Sequence, residues 1–209
     1  MSHSIFLDKA RFEDISNKTF KVFLLLAVPL VVAVSFLSEG IIRLIGGADF
    51  SESAPVLRIL VFALAFIFFG NFFNSILIAA NLQKRLMFTL SIAAVFNIGL
   101  NLFLIPRHSY FGAAGVSVGT EFLVVAFTAF WAFKKVGYVP SFEKGFFIMT
   151  AGALMAVFLF LFQEMNFFFL ALSSALVYFF FLWIFKVITT QEIRSLISKK
   201  GISEYENLS

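Results

Sequence analysis

Six apolar stretches, each near the length of a bilayer crossing, alternate with short polar breaks along the chain. They lie near Val22–Ile45, Pro55–Ala80, Leu86–Ile105, Gly112–Phe133, Gly145–Phe162 and Phe167–Ile188. The breaks read "GGADFSESA", "NLQKR", "PRHSYF", "KKVGYVPSFEK" and "QEMN", each polar or rich in turn formers. A bilayer core about 30 Å thick needs about 20 mostly apolar residues in a helix. The pattern therefore predicts an all-α integral membrane protein with six transmembrane helices. Ser38, Glu39 and Arg43 make the far end of the first span polar, and Pro29 within it is expected to kink the helix, which neighbouring membrane helices can tolerate. Residues 1–19 form a charged leader in which Leu7, Phe12 and Ile15 fall loosely on one helical face. That leader reads either as an interfacial helix on the inner leaflet or as a solvated segment. It does not resemble a cleavable signal peptide, so the first span is expected to serve as its own insertion signal.

Composition strengthens the membrane reading. Hydrophobic residues make up 61% of the 209, charged residues only 13%, and the mean hydropathy is +0.98. Soluble domains are about half apolar and about a quarter charged, and so large an excess cannot be hidden in one soluble core. The 33 phenylalanines suit lipid-facing surfaces, while the lack of cysteine excludes disulfides, thiolate metal sites and cysteine catalysis. Basic residues give orientation. Thirteen of the 16 fall in the N-terminal segment, after spans two and four, or at the C-terminal end (Lys186, Arg194, Lys199, Lys200). Only Arg43, Arg58 and Arg107 fall on the other side. By the positive-inside rule both termini are cytoplasmic. The net charge of +4 then reflects topology and implies no nucleic acid partner.

Against this apolar background a few polar residues stand out. Glu121 lies nine residues into span four, roughly 13 Å deep at about 1.5 Å per residue. A carboxylate at that depth tends to mark a site or to find a partner. It reads either as lining a polar cavity or cation path, or as a structural carboxyl between helices, with Arg58 a candidate counter-ion. Asn97 and Asn101 share a face of span three, and Asn71 and Asn74 stand three apart in span two. Each pair is either packing glue or cavity lining. Gly115 and Gly119 form GxxxG among small residues and are expected to mark a tight helix contact. Spans five and six carry few polar groups and read as a lipid-exposed pair, with Lys186 snorkelling from the inner end. His3 and His108 have no metal-ligand spacing, and Asp49 and Glu52 have no basic or metal-binding companion. No nucleophile elbow or phosphate loop is present. The expectation is a non-enzyme without metal or cofactor.

The order of motifs adds a family resemblance. "LIGGADFSESAPVLRIL", then "NSILIAANLQKRLMF", then "NIGLNLFLIPRHSYFGAAGVSVGTE" resembles polysaccharide flippases of the multidrug/oligosaccharidyl-lipid/polysaccharide exporter superfamily. The match covers about Leu44 to Glu121 and departs from the family where "RHSYFG" follows "IP", so a longer or differently shaped turn is expected there. The resemblance implies the last six spans of a fourteen-span, two-lobed flippase. Residues 1–19 would be the cytoplasmic leader, 20–136 four helices of the C-terminal lobe, 137–190 an additional helix pair and 191–209 a cytoplasmic tail. It further implies a missing N-terminal lobe, left off by a truncated frame, a split gene or a cut piece. The implied substrate is a polyprenyl-diphosphate-linked oligosaccharide, moved within the lipid of a bacterial inner membrane for surface polysaccharide synthesis. Arg58, Asn71, Asn74, Asn97, Asn101 and Glu121 are the cleft candidates. The rival readings are a drug or ion antiporter of the same superfamily and a non-transporting scaffold docked through the GxxxG face.

Overall fold

A computed structural model describes residues 9–187. Helix α1 (Lys9–Gly46) leads through a 3₁₀ turn (Ala48–Ser53) into α2 (Ala54–Ala79). Helix α3 (Gln83–Trp131) runs on into a π-helical turn (Ala132–Val136), and α4 (Gly145–Leu161) and α5 (Phe167–Ile184) follow. Among the described residues there is no strand. Among the described residues four helical stretches are long and apolar enough to cross a membrane: Lys9–Gly46, Ala48–Ala79, Gln83–Val136 and Phe167–Ile184. Gly145–Leu161 is equally apolar but has only 17 residues. The molecule is a multi-pass membrane protein. His3, Leu7, the expected end of the last span at Ile188, the basic Arg194, Lys199 and Lys200, and the expected tail 191–209 lie outside the described residues.

Helix α3 is folded back on itself. Asn97 Nδ2 lies 2.9 Å from Thr120 Oγ1, although 23 residues of straight helix would separate them by roughly 35 Å. The Arg85 guanidinium likewise sits 4.4 Å from the Trp131 ring. Ser109 breaks the run with φ 50° and ψ −135°, just after Pro106, which withholds a backbone N–H. The expected third and fourth spans are thus the two arms of one tight hairpin. "PRHSYF" is absorbed into the arm ends and forms no separate loop. Gly112 closes the corner: a Cβ there would lie 2.7 Å from the Leu104 carbonyl oxygen, which only glycine avoids.

The helices pack in a row, with α2 between α1 and α3, and α1 against α4 and α5. Phe20 and Leu24 of α1 meet Phe72 and Phe73 of α2, and the same cluster continues through Ile148, Met155 and Leu159 to Tyr178 and Leu182. The α4–α5 pair presents an apolar outer face, with Phe146, Phe160, Phe169, Leu176 and Trp183 exposed as a lipid-facing pair requires, while its inner face joins the core. Ile148, Leu159 and Leu182 are fully buried, and a Cβ at Gly152 would collide with the Val28 side chain, so α1 seats Val28 in the notch that this glycine leaves on α4. Pro29 lies inside α1 without interrupting it. Its missing N–H would leave the Leu25 carbonyl without a helical partner. The Tyr178 hydroxyl donates to that carbonyl at 3.2 Å, so α5 supplies what proline removes.

The two ends of the bundle differ in charge. At one end Lys9–Lys18 continue α1 and form no separate surface helix. Phe12 packs edge-on against Tyr138 at 5.7 Å, and the Tyr138 hydroxyl donates to Asn17 Oδ1 at 2.8 Å. Burial, helped by the negative charge of Glu13, pushes the Tyr138 phenol up to about 12. The Arg85–Trp131 contact and a Lys144 Nζ bond to the Lys186 carbonyl (3.1 Å) lie at this end too. The described basic residues outside Arg43, Arg58 and Arg107 collect here. The opposite end holds the 3₁₀ turn, the α3 corner and the α4–α5 link. There Tyr110 reaches Glu52 at 3.4 Å.

Candidate functional site: a polar track in the α3 hairpin and a charged cleft

Two polar regions interrupt the apolar body. The first runs between the arms of α3. Asn101 Nδ2 donates to Asn97 Oδ1 (2.9 Å), Asn97 Nδ2 donates to Thr120 Oγ1 (2.9 Å), and Thr120 returns its proton to the Val116 carbonyl (2.8 Å). The four-residue spacing puts both asparagines on one helical face, and the fold brings Thr120 opposite them. The far oxygen, Asn101 Oδ1, is buried without a partner among the described residues. Glu121 follows Thr120 and is half-buried; neither a hydrogen bond nor an ion pair reaches it among the described residues. An acceptor oxygen and a carboxyl at similar depth can hold a cation, a proton or the hydroxyls of a sugar.

The second region is a cleft of about 620 Å³ at the less basic end, among α1, α2, α4 and α5. Arg58 forms its floor. Arg58 Nε donates to Ser38 Oγ at 2.7 Å and Nη2 to Glu39 Oε1 at 2.7 Å. Arg58 is therefore not the counter-ion of Glu121. Its helix turns that side chain toward α1, while Glu121 belongs to the arm across α2.

The remaining candidates scatter. Asn71 is exposed, whereas Asn74 is half-buried with an unpartnered Oδ1. Thr89 Oγ1 and Trp131 Nε1 are likewise buried and unpartnered among the described residues. The GxxxG pair has little to grip within this chain. A Cβ at Gly115 would meet nothing within 4 Å, and one at Gly119 would make ordinary contact with Phe96 at 3.7 Å. The glycine that another helix does press upon is Gly152, against the Val28 side chain. Sequence reasoning placed Thr120 only among the small residues around GxxxG and Ser38 only in the polar far end of the first span. Thr120 was signalled by its near-mirror distance from the corner, eleven residues after Ser109 where Asn97 stands twelve before. Among the described residues no cluster of three or more histidine, aspartate or glutamate side chains could hold a metal.

Residues 8–103 match the family model described as MatE, and the resemblance to the exporter superfamily is thereby shown. The chain is 30% identical over 128 residues to a capsular polysaccharide biosynthesis protein, CapF, of Staphylococcus aureus, covering 61% of this chain and 32% of that one. It is 25% identical over 192 residues to an uncharacterized membrane protein of Methanocaldococcus jannaschii, covering 88% of this chain and 37% of that one. The chain thus spans about a third of the length of these curated relatives. No solved structure matches.

Proposed function

We propose that this chain, a membrane protein carrying a MatE match over residues 8–103, is part of a transporter that flips a lipid-linked oligosaccharide across a bacterial inner membrane for surface polysaccharide synthesis. The observation that carries the reading is the Asn97–Asn101–Thr120 chain of hydrogen bonds beside Glu121, at depth in the helix hairpin that the rest of the chain covers least. The Asn97–Thr120 bond by itself would hold the two arms together in lipid, but the unpartnered Asn101 Oδ1 and the unpaired Glu121 add nothing to that packing and suit one wall of a polar cleft. The name of the Staphylococcus aureus relative, a capsular polysaccharide biosynthesis protein, supports an oligosaccharide substrate over a drug. No covalent chemistry is asked of the protein. The basic end would face the cytoplasm, with α4 and α5 as fifth and sixth crossings.

Alternating access rocks one half of such a transporter against the other around a midplane site. The exposed face of α3 around Gly115 would meet the second lobe, supplied by further sequence or by another polypeptide. These helices alone are not expected to flip substrate.

The test is made in cells. Asn97→Leu, Asn101→Leu and Glu121→Gln, combined at the native locus, should abolish surface polysaccharide while leaving membrane levels of the protein unchanged. Undiminished polysaccharide would sink the cleft reading and favour a scaffold. Loss of ion-driven drug efflux with polysaccharide intact would favour an antiporter built on Glu121.

A further inference from the structure

The charged cleft plays no part in that transport reading, because α2 separates it from the α3 track. It is nevertheless built. Ser38, fully buried, and Glu39 together occupy Nε and Nη2 of Arg58. A guanidinium has five N–H donors, so three remain to be offered at the cleft floor. Arg43 stands one turn beyond Glu39 on the same strip of α1, and Glu52 closes the wall from the 3₁₀ turn. Glu52 is itself tied to the α3 corner through Tyr110. The cleft is therefore lined by two arginines and two glutamates, of which Arg58 and Glu39 form an ion pair. Phe36 and Phe167 add apolar rims.

Position narrows the ligand. The cleft lies where α1 ends and α2 begins, and where α4 ends and α5 begins, so in a membrane it sits at headgroup depth. Charge narrows it further. A simple anion would meet two carboxylates there, and a simple cation two guanidiniums. A zwitterion meets a partner for each end. Its volume of about 620 Å³ is in the range of small-ligand pockets.

We propose that this cleft binds the phosphoethanolamine headgroup of a membrane phospholipid. The phosphate lies on Arg43 and the free donors of Arg58, the ammonium donates to Glu39 and Glu52, and the first acyl carbons lie along Phe36 and Phe167. Arg–phosphate bonds supply geometry as well as charge, and an ammonium with three N–H donors satisfies two carboxylates where a quaternary amine cannot.

The experiment uses the purified 209-residue chain, delipidated in detergent and titrated with dioleoyl phosphatidylethanolamine, phosphatidylcholine or phosphatidylglycerol under native mass spectrometry. Wild-type protein should retain phosphatidylethanolamine about tenfold better than either other lipid, the scale of one hydrogen bond to a charged group. Arg43→Gln should erase that preference. Glu39→Gln with Glu52→Gln should shift it to phosphatidylglycerol, because the cleft then carries net positive charge. Arg43 and the two glutamates are exposed, and circular dichroism checks that each variant folds. Equal retention of the three lipids by wild type, a wild-type preference for phosphatidylglycerol, or preferences that neither variant changes would each overturn the assignment. None of these readouts involves flipping, so the transport reading can fail without touching them.

Discussion

Removing the Tyr178 hydroxyl isolates one hydrogen bond whose reason for existing is a proline on another helix. Tyr178 is 1% exposed, and its hydroxyl lies 3.2 Å from the Leu25 carbonyl. That carbonyl would have accepted from residue 29 in an ordinary helix, but residue 29 is proline. In Tyr178→Phe the carbonyl has no donor, in a setting where water does not compete. A buried acceptor left unpaired costs about 1–3 kcal/mol, while measured hydrogen bonds between membrane helices average about 0.6 and reach about 1.7 kcal/mol. The expected loss is therefore about 1 kcal/mol, near the upper part of the membrane range because the backbone offers no substitute. The same change in a Pro29→Ala background should cost far less, since an alanine at that position restores the backbone N–H. The assay is a double-mutant cycle on the purified chain, unfolded by sodium dodecyl sulfate in mixed micelles and followed by helical circular dichroism. A coupling of about 1 kcal/mol is expected, with the Pro29→Ala background the more tolerant. An equal loss in both backgrounds would show that the hydroxyl anchors α5 for some other reason, and no loss in either would refute the argument.

Three further outcomes are expected. Gly112→Ala forces a Cβ against the Leu104 carbonyl and should open the α3 corner, costing more than about 1–3 kcal/mol of overpacking and weakening an engineered cysteine crosslink between positions 97 and 120; an unchanged crosslink yield would count against the hairpin geometry. Asn97→Leu and Thr120→Val should each cost about 1 kcal/mol and together no more than one of them, by the same unfolding assay; full additivity would mean that the two side chains do not meet. Tyr138, raised to about 12 from 10.0, favours its neutral form in the fold, so its contribution is complete below pH 10 and is lost as pH rises toward 12. Alkaline unfolding monitored by helicity should lose that component in Tyr138→Phe, and an identical alkaline profile would contradict the Tyr138–Asn17 clasp.

The sequence speaks clearly about what lies along the chain and poorly about what lies across it. Apolar runs bounded by "NLQKR" or "QEMN" mark helices because length and polarity are local properties. Asn97 and Asn101 fall on one face because a helix repeats every four residues or so. Pro106 and Gly112 announce a corner, though not its tightness, which rests on Ser109 holding a positive φ. Which face of α4 and α5 is buried was not legible, since a helix face that meets lipid is as apolar as one that meets another helix, and the usual polar contrast is lost. Ala151 and Gly152 carried what signal there was. The partner of Arg58 was likewise beyond reach: depth along α2 was readable, but the direction in which its face turns depends on α1, nineteen residues upstream at Glu39.

The Tyr178 contact also sets a mechanical constraint on α1. Leu25 stands eight residues from Asn17, which clasps Tyr138, and thirteen from Ser38, which holds Arg58. At about 1.5 Å per residue these arms are about 12 Å and about 20 Å long. A stiff rod pinned between two unequal arms is a lever. Tilting about that fulcrum by a few degrees moves the cleft end and the basic end in opposite directions, with the larger stroke at the cleft.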